Sequence, residues 1–292
     1  MNILVVSQNK NRRIVQRIQE EAIHSNLNVS INNYSDIEFS VNQKLEMTLH
    51  KNSALQPFQA VILDAPGPFT LLRDIMVRYF YNQKVFLLNG SSLLQWSSLN
   101  KILQIVELNN AKIPTIPTRI FGNSFNLKNA VKGSIKPLVA KSVDGSGGLN
   151  TYLIPSLEDL EQEAMRFHAP QHLLVQPKIE ADKEYRVLII GNNILGSVSK
   201  KVAPGDFRAN WARNASFVSS EIPGKVKSIV LQSCQVLNLD FAGIDVFFKN
   251  SEGGEKAWIV EVNRFPGFEG FEGETKINVA HHILNFISER VS

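Results

Sequence analysis

One stretch constrains this chain more than any other: Phe241 to Phe271, FAGIDVFFKNSEGGEKAWIVEVNRFPGFEGF. Phe241 to Lys249 alternates and is rich in branched and aromatic residues. Asn250-Ser251-Glu252-Gly253-Gly254 is turn chemistry, and Lys256 to Asn263 is a second strand-like run. The pattern predicts an antiparallel hairpin. A turn centred on Gly253 sets Asp245 opposite Glu261, and the strand period of two puts Asn263 on the Glu261 face. Opposed Cβ atoms lie roughly 4.5–5.5 Å apart. Two carboxylates that close repel by about 1 kcal/mol in water and about 4 kcal/mol at intermediate dielectric. A divalent cation turns that repulsion into attraction. Asp, Glu and Asn oxygens are hard ligands, and Mg²⁺ commonly takes one or two carboxylates plus substrate phosphates. The same pattern also suits an exposed sheet face with scattered acids.

Before the hairpin, strands and helices alternate. Asn2–Ser7 reads as a buried strand, Asn11 to His24 as an amphipathic helix and Asn28 to Tyr34 as a weaker strand. Ala60 to Asp64 is an apolar strand, Thr70 to Asn82 a helix and Lys84 to Asn89 another strand. That alternation predicts a small parallel α/β sheet. It has no G-x-G-x-x-G, so a dinucleotide fold is not expected. Residues 35–56 are polar and carry no clear period. A helix with Leu99, Ile102, Leu103 and Val106 on one face ends near Asn109-Asn110, and Ile113 to Thr118 follows as an extended, proline-bearing connector. We expect a first domain over residues 1–89 and a second over 90–292. Within the second, strands are expected over 137–143, 151–154 and 173–176. A helix opens at Ser156-x-x-Asp159, and a hairpin turns at Gly191-Asn192-Asn193. Helices are expected over 225–237 and 276–290.

Composition narrows the classes. One cysteine in 292 residues, Cys234, precludes an internal disulfide and fits a reducing compartment. The start runs directly into a strand rather than a targeting peptide, and no apolar run approaches a membrane span. A cytoplasmic location is expected. The net charge of +4 could mark a nucleic-acid surface, yet no lysine/arginine block or aromatic-basic repeat appears. A nucleotide or another anionic substrate explains the balance as easily.

Three further stretches carry anion-binding chemistry. Lys141 precedes Asp144-Gly145-Ser146-Gly147-Gly148 by three residues, where glycines let backbone amides approach an anion and a lysine adds a point charge. An ordinary hairpin turn with a surface lysine reads the same way, and the spacing is not that of a P-loop. Gln176-Pro177-Lys178-Ile179, ahead of Glu184, could offer main-chain groups to an adenine edge and a carboxylate to a ribose; it could also be a solvated loop. Arg208 and Arg213, in Asp206-Phe-Arg-Ala-Asn210-Trp-Ala-Arg213, are guanidinium forks suited to phosphate or carboxylate.

The order of these elements resembles an ATP-grasp ligase of the RimK-like branch, over about residues 89 to 290. The carrying motifs are Asp206-Phe-Arg-Ala-Asn210, Ala242-Gly-Ile-Asp245 and Glu261-Val-Asn-Arg-Phe-Pro-Gly-Phe-Glu-Gly270. The resemblance implies an α/β ATP-grasp fold behind a small N-terminal parallel α/β domain, with a lid over about 115–173 and a catalytic part over about 174–292. It implies ATP and two Mg²⁺ ions, or Mn²⁺ in their place. It assigns Lys101 and Lys141 to phosphates, Gly145, Ser146 and Gly147 to the lid loop, and Gln176, Pro177, Lys178 and Ile179 to the adenine hinge. Glu184 falls to the ribose, Asp245, Glu261 and Asn263 to the metal, and Arg208, Asn210 and Arg213 to the reacting groups. The implied reaction joins a carboxylate, such as that of glutamate, to an amine of a small molecule, peptide or protein through an acyl phosphate. An ATP-binding module without turnover shares the architecture. The family often forms homo-oligomers. Three departures stand out. Pro177 replaces a usual acid, Asn214-Ala215 replaces two glycines, and Arg264 follows Glu-Val-Asn where a small residue is common. A cation there suggests a different acidic substrate or a stronger hold on the acyl phosphate.

Overall fold

The structure, a computed structural model, describes residues 1–50, 57–122, 137–142, 151–156, 173–201 and 216–291. The first sheet holds β1 (Asn2–Ser7), β2 (Asn28–Asn33), β5 (Ala60–Leu63) and β6 (Phe86–Leu87), in the order β2-β1-β5-β6 and all parallel, as the alternation predicts. Ile3 to Val6 are wholly buried because both faces of β1 are covered. Helix α1 (Arg13–His24) lays Ile14, Val15 and Ile18 on one face; α2 (Thr70–Asn82) lays Met76, Val77 and Phe80 on the other.

Two parts of this region differ from expectation. Residues 35–56 contain a hairpin, β3 (Ile37–Val41) with β4 (Leu45–Leu49). Its inward side chains, Ile37, Met47 and Leu49, are buried against the α2 face, while its polar outward set hides the period. The strand expected over 84–89 shortens to two residues because Lys84 and Asn89 both take left-handed conformations, φ 58° and 61°, and Asn89 leads directly into α3 (Gly90–Gln95).

After α4 (Lys101–Asn110), a second sheet runs β7-β10-β8-β9, made of β7 (Arg119–Phe121), β8 (Leu138–Ser142), β9 (Thr151–Ile154) and β10 (Leu173–Pro177). Its own small core is Leu138, Ala140, Ile154, Leu173 and Val175. The expected helix from Leu157 lies outside the described residues.

The third sheet is antiparallel, in the order β13-β12-β11-β14-β15: β11 (Lys183–Ile190), β12 (Asn193–Lys201), β13 (Ser216–Ser219), β14 (Phe241–Ser251) and β15 (Gly254–Asn263). One face, with Tyr185, Val187, Ile244 and Val246, packs against the helix Gly224–Val236, which also buries Cys234. On the opposite face, Leu188, Ile190 and Phe241 join the core of α1 and the closing helix Val279–Val291. A single apolar core therefore runs from the first sheet into the third. Toward the other end, that same face turns from apolar to charged.

The α4 face also differs from the sequence reading. Gln104 and Leu108 are buried, whereas Val106 is 39% exposed. Gln104 is drawn inward because its Oε1 accepts from Val262 N at 2.8 Å and its Nε2 donates to Leu99 O at 2.9 Å. The connector behind α4 buries Ile113 and Ile116 and extends the β15 edge: Ile259 N donates to Pro114 O at 2.9 Å.

Candidate functional site

The β14–β15 hairpin reaches its expected register by an indirect route. Ser251 pairs with Gly254 around a tight turn, and the ladder continues to Val246–Ile259. That turn alone would set Asp245 against Val260. A bulge after Val246 leaves Val260 as the extra residue and restores Asp245 opposite Glu261, with Gly243 opposite Asn263. The two carboxylates expected to face each other therefore do.

They do not stand alone. Arg186 on β11 is paired with Asp245 and grips it with two parallel bonds, Nε to Oδ1 and Nη2 to Oδ2, each 2.8 Å. Lys200 on β12 lies opposite Glu184, which it hydrogen-bonds, and its Nζ is 3.1 Å from Asp245 Oδ2. Lys101, at the first turn of α4, holds Glu261 Oε1 at 2.9 Å. Asp245 is 4% exposed and Lys200 8%. Burial acts to raise the Asp245 carboxyl, but Arg186 and Lys200 outweigh it and hold the group well below the usual carboxylate range. For Glu184 burial is the largest influence and pushes the carboxyl up, against the pull of Lys200. Asp245 opposes the burial of Arg186 and leaves that guanidinium more firmly protonated than usual.

Lys141, on β8, belongs to the same constellation. Burial pushes its ammonium down, while Glu261, Glu184 and Asp245 act on it from one side and Lys101 repels it. Lys141, on the second sheet, is thus within electrostatic reach of the charged end of the third. Gln176, paired with Val139, lies on the Lys141 side of that sheet and donates to Thr118 Oγ1 at 2.8 Å. Pro177 closes the strand, and the Lys178 amide is taken by Pro137 O at 2.9 Å. The Lys178 side chain is exposed and Ile179 half-buried in the link to β11. The structure therefore brings together Lys101, Lys141, Glu184, Asp245 and Glu261, with Asn263 on the same strand face as Glu261. Gln176 to Ile179 border them. Gly145, Ser146, Gly147, Arg208, Asn210 and Arg213 lie outside the described residues.

Two members, Arg186 and Lys200, are absent from the sequence reading. Counting from a turn centred on Asn192 would set residue 200 against Glu184; the turn itself is Gly191-Asn192 with Ile190 opposite Asn193, and the pairing is reached through a register shift between Leu188 and Ile189. Arg186 follows from the period of two beginning at Glu184. Its partnership with Asp245 depends on β11 pairing with β14, which no local pattern announces.

Arg264 requires a correction. Its side chain does not face the carboxylates. Nη1 donates to Trp96 O at 2.8 Å and to Ser92 O at 3.4 Å, and Nη2 donates to Ser97 O at 3.2 Å. These are carbonyls at and just beyond the C-terminal end of α3, where a cation is favoured. Arg73 reaches the same Ser97 carbonyl and pairs with Asp74 at 3.1 Å. Burial, with Arg73 adding repulsion, lowers the Arg264 guanidinium to about 10.

The donor set fits a hard divalent cation: two opposed carboxylates and one amide oxygen on adjoining strands, with ammonium and guanidinium groups now balancing the carboxylates. Among the described residues no cluster of three or more His, Cys, Asp and Glu forms a metal site without such an amide.

Residues 98–287 match the RimK-like ATP-grasp domain family. Over 298 residues the chain is 27% identical to the probable alpha-L-glutamate ligase 2 of Shewanella denitrificans, covering 100% of this chain and 96% of that protein. The probable alpha-L-glutamate ligase of Coxiella burnetii is 27% identical over 296 residues, covering 99% of this chain and 96% of that protein. Among solved structures, the ATP-grasp ligase PsnB complexed with minimal precursor superposes with a TM-score of 0.77 at 16% identity, over 99% of this chain and 98% of that one. The macrocyclase MdnC bound with precursor peptide MdnA, from Microcystis aeruginosa, gives 0.75 at 14% identity, over 99% and 100%.

Proposed function

Since the chain belongs to the RimK-like ATP-grasp family, an ATP-dependent carbon–nitrogen ligase family, we propose that it forms an amide between an amino acid and an amine through an acyl phosphate. The observation that carries this reading is the charged end of the third sheet, where each candidate metal carboxylate is met by a cation: Asp245 by Arg186 and Lys200, Glu261 by Lys101. Each of these carboxylates is therefore compensated by a cation of the protein itself. With a metal held by the carboxylates, the lysine and arginine charge would be available to phosphates.

Asp245, Glu261 and Asn263 would hold Mg²⁺, one ion or two, and the metal would supply neutralisation of the triphosphate charge. Lys101 and Lys141 would bind the phosphates from opposite sides. Glu184 would accept from the ribose hydroxyls, and the main chain over Gln176–Ile179 would meet the adenine edge. Charge that builds as the γ-phosphoryl group moves would then be stabilised by groups already in place, which is most of what phosphoryl transfer asks of a protein. Arg208, Asn210 and Arg213 are proposed to face the reacting phosphoryl group and the carboxylate. Residues 1–89 would serve as a supporting domain, with the reaction in the cytoplasm. Among the described residues no helix is long and apolar enough to cross a membrane.

Glutamate is the first amino acid to test, because the matched proteins of Shewanella and Coxiella are named for it. Peptides are the first acceptors, because PsnB and MdnC are seen with precursor peptides. The experiment is a screen of amino acids against amines and peptides with ATP and Mg²⁺. ADP release is followed, and products are weighed for the gain of one residue. Release that needs both substrates, falls at least about 100-fold in Glu261→Ala and tracks the mass gain supports the reading. Tight ATP binding with no turnover by any pair would contradict it and favour a nucleotide-binding module.

A further inference from the structure

We propose that Arg264 is a positioning residue for the nucleotide and metal site, acting by pinning the end of β15 to the corner between α3 and α4. The inference rests on the functional reading above and extends it to a side chain that touches no substrate.

Four consecutive residues carry the argument. Glu261 is held by Lys101, the first residue of α4. The Val262 amide is held by Gln104, one turn along the same helix. Asn263 follows, on the strand face of Glu261. Arg264 then closes the seam, spreading its guanidinium over the carbonyls of Ser92, Trp96 and Ser97. Its own carbonyl accepts from Asn89 Nδ2 at 2.8 Å. The corner is short: three residues after Ser97, Asn100 caps α4 through Oδ1 to Leu103 N at 3.0 Å and presents Lys101.

A closed circuit results, running from Glu261 along β15 to Arg264, across to Ser97, and through Asn100 and Lys101 back to Glu261. Asn263 lies inside it, between two fastened neighbours. A guanidinium fork suits the closing position because it offers several donors in a fixed plane and can reach carbonyls on successive residues. An ammonium at the same place could satisfy fewer of them. Loss of the fork leaves Glu261, Val262 and the Arg264 carbonyl attached but removes the tie between the strand end after Asn263 and the α3–α4 corner. The consequence belongs to the phosphate and metal side of the reaction rather than to the carboxylate or the amine.

The test compares wild type with Arg264→Ala, Arg264→Lys and Arg73→Lys. Each is first checked for folding by circular dichroism and thermal melting. Binding of Mg²⁺ with a non-hydrolysable ATP analogue, and of Mn²⁺ by its paramagnetic signal, is then measured without any carboxylate or amine present. A folded Arg264→Ala should bind the metal–nucleotide pair about tenfold more weakly and recover part of that loss when guanidinium ion is added at millimolar concentration. Arg264→Lys should fall between it and wild type, and should decide the matter if the alanine variant does not fold. Arg73→Lys should change melting more than metal binding. Unaltered metal–nucleotide affinity in a folded Arg264→Ala or Arg264→Lys would overturn the inference and leave the functional reading intact. A rise in KM for the carboxylate alone would also overturn it, since that marks direct substrate contact. A wild-type protein that binds no Mg-ATP would overturn the functional reading itself and this inference with it.

Discussion

Asn89 shows how much one side chain can settle. It is wholly buried and left-handed, with φ 61°. Its Oδ1 accepts from Asp240 N at 2.7 Å and Phe241 N at 2.9 Å, and its Nδ2 donates to Phe241 O and Arg264 O. Its own amide donates to Asp240 Oδ2 at 2.7 Å. The residue thus fastens the end of the first sheet to both strands of the acid-bearing hairpin. Asn89→Ala would strand several buried groups, at about 1–3 kcal/mol each before relaxation, and would keep a Cβ in the left-handed region without the polar side chain that lets asparagine tolerate it. Asn89→Gly strands the same groups without that strain. We expect both to lower the urea midpoint sharply, with glycine the milder by about 1 kcal/mol. An alanine variant as stable as the glycine one would contradict the strain argument. Nothing in the sequence around Asn89 foretold this, because every partner lies some 150 residues away or more. The opposed pair Asp245 and Glu261 was legible, by contrast, because a hairpin register is local and countable. Even there the count worked through a bulge that the residues do not announce.

Among the elements, α4 separates pattern from packing. Its apolar residues suggest a face through Leu99, Ile102, Leu103 and Val106; Leu99 and Leu103 do pack, but Gln104, whose amide group bridges Leu99 O and Val262 N, takes the inward place and Val106 faces out. A polar side chain buried with both ends satisfied can outrank an aliphatic one in choosing which way a helix turns. Leu108, 1% exposed, is on the packed side, and Val106 is not. Leu108→Ala should therefore cost about 2–5 kcal/mol, and Val106→Ala less than about 1 kcal/mol, in denaturant unfolding. The reverse order would restore the face that the sequence suggests. The hairpin of β11 and β12 repeats the β14–β15 case at element scale: Ile190 pairs with Asn193 around Gly191-Asn192, which alone would set Glu184 against Ser199, and a shift between Leu188 and Ile189 brings Lys200 opposite instead.

Across the whole molecule, the parallel first sheet was legible from alternation, and the ATP-grasp character from a family resemblance carried by the order of the elements and by the motifs at 206–210, 242–245 and 261–270. What leaves no periodic trace in the sequence is how α4, the second sheet and the third converge on one charged patch. Arg186 meets Asp245 only because β11 lies beside β14, and Lys141, on another sheet, comes within electrostatic reach of Glu261, Glu184 and Asp245. Such contacts join residues far apart in the chain and leave no periodic trace. The central claim is that this patch activates a carboxylate at the γ-phosphate of ATP. The most direct measurement uses amino acid labelled with ¹⁸O in the reacting carboxylate, with ATP, Mg²⁺ and a peptide acceptor. An acyl phosphate transfers one carboxylate oxygen to phosphorus, so each amide formed should release one phosphate bearing a single ¹⁸O. Amide formation with unlabelled phosphate, or label that appears in AMP, would contradict the mechanism.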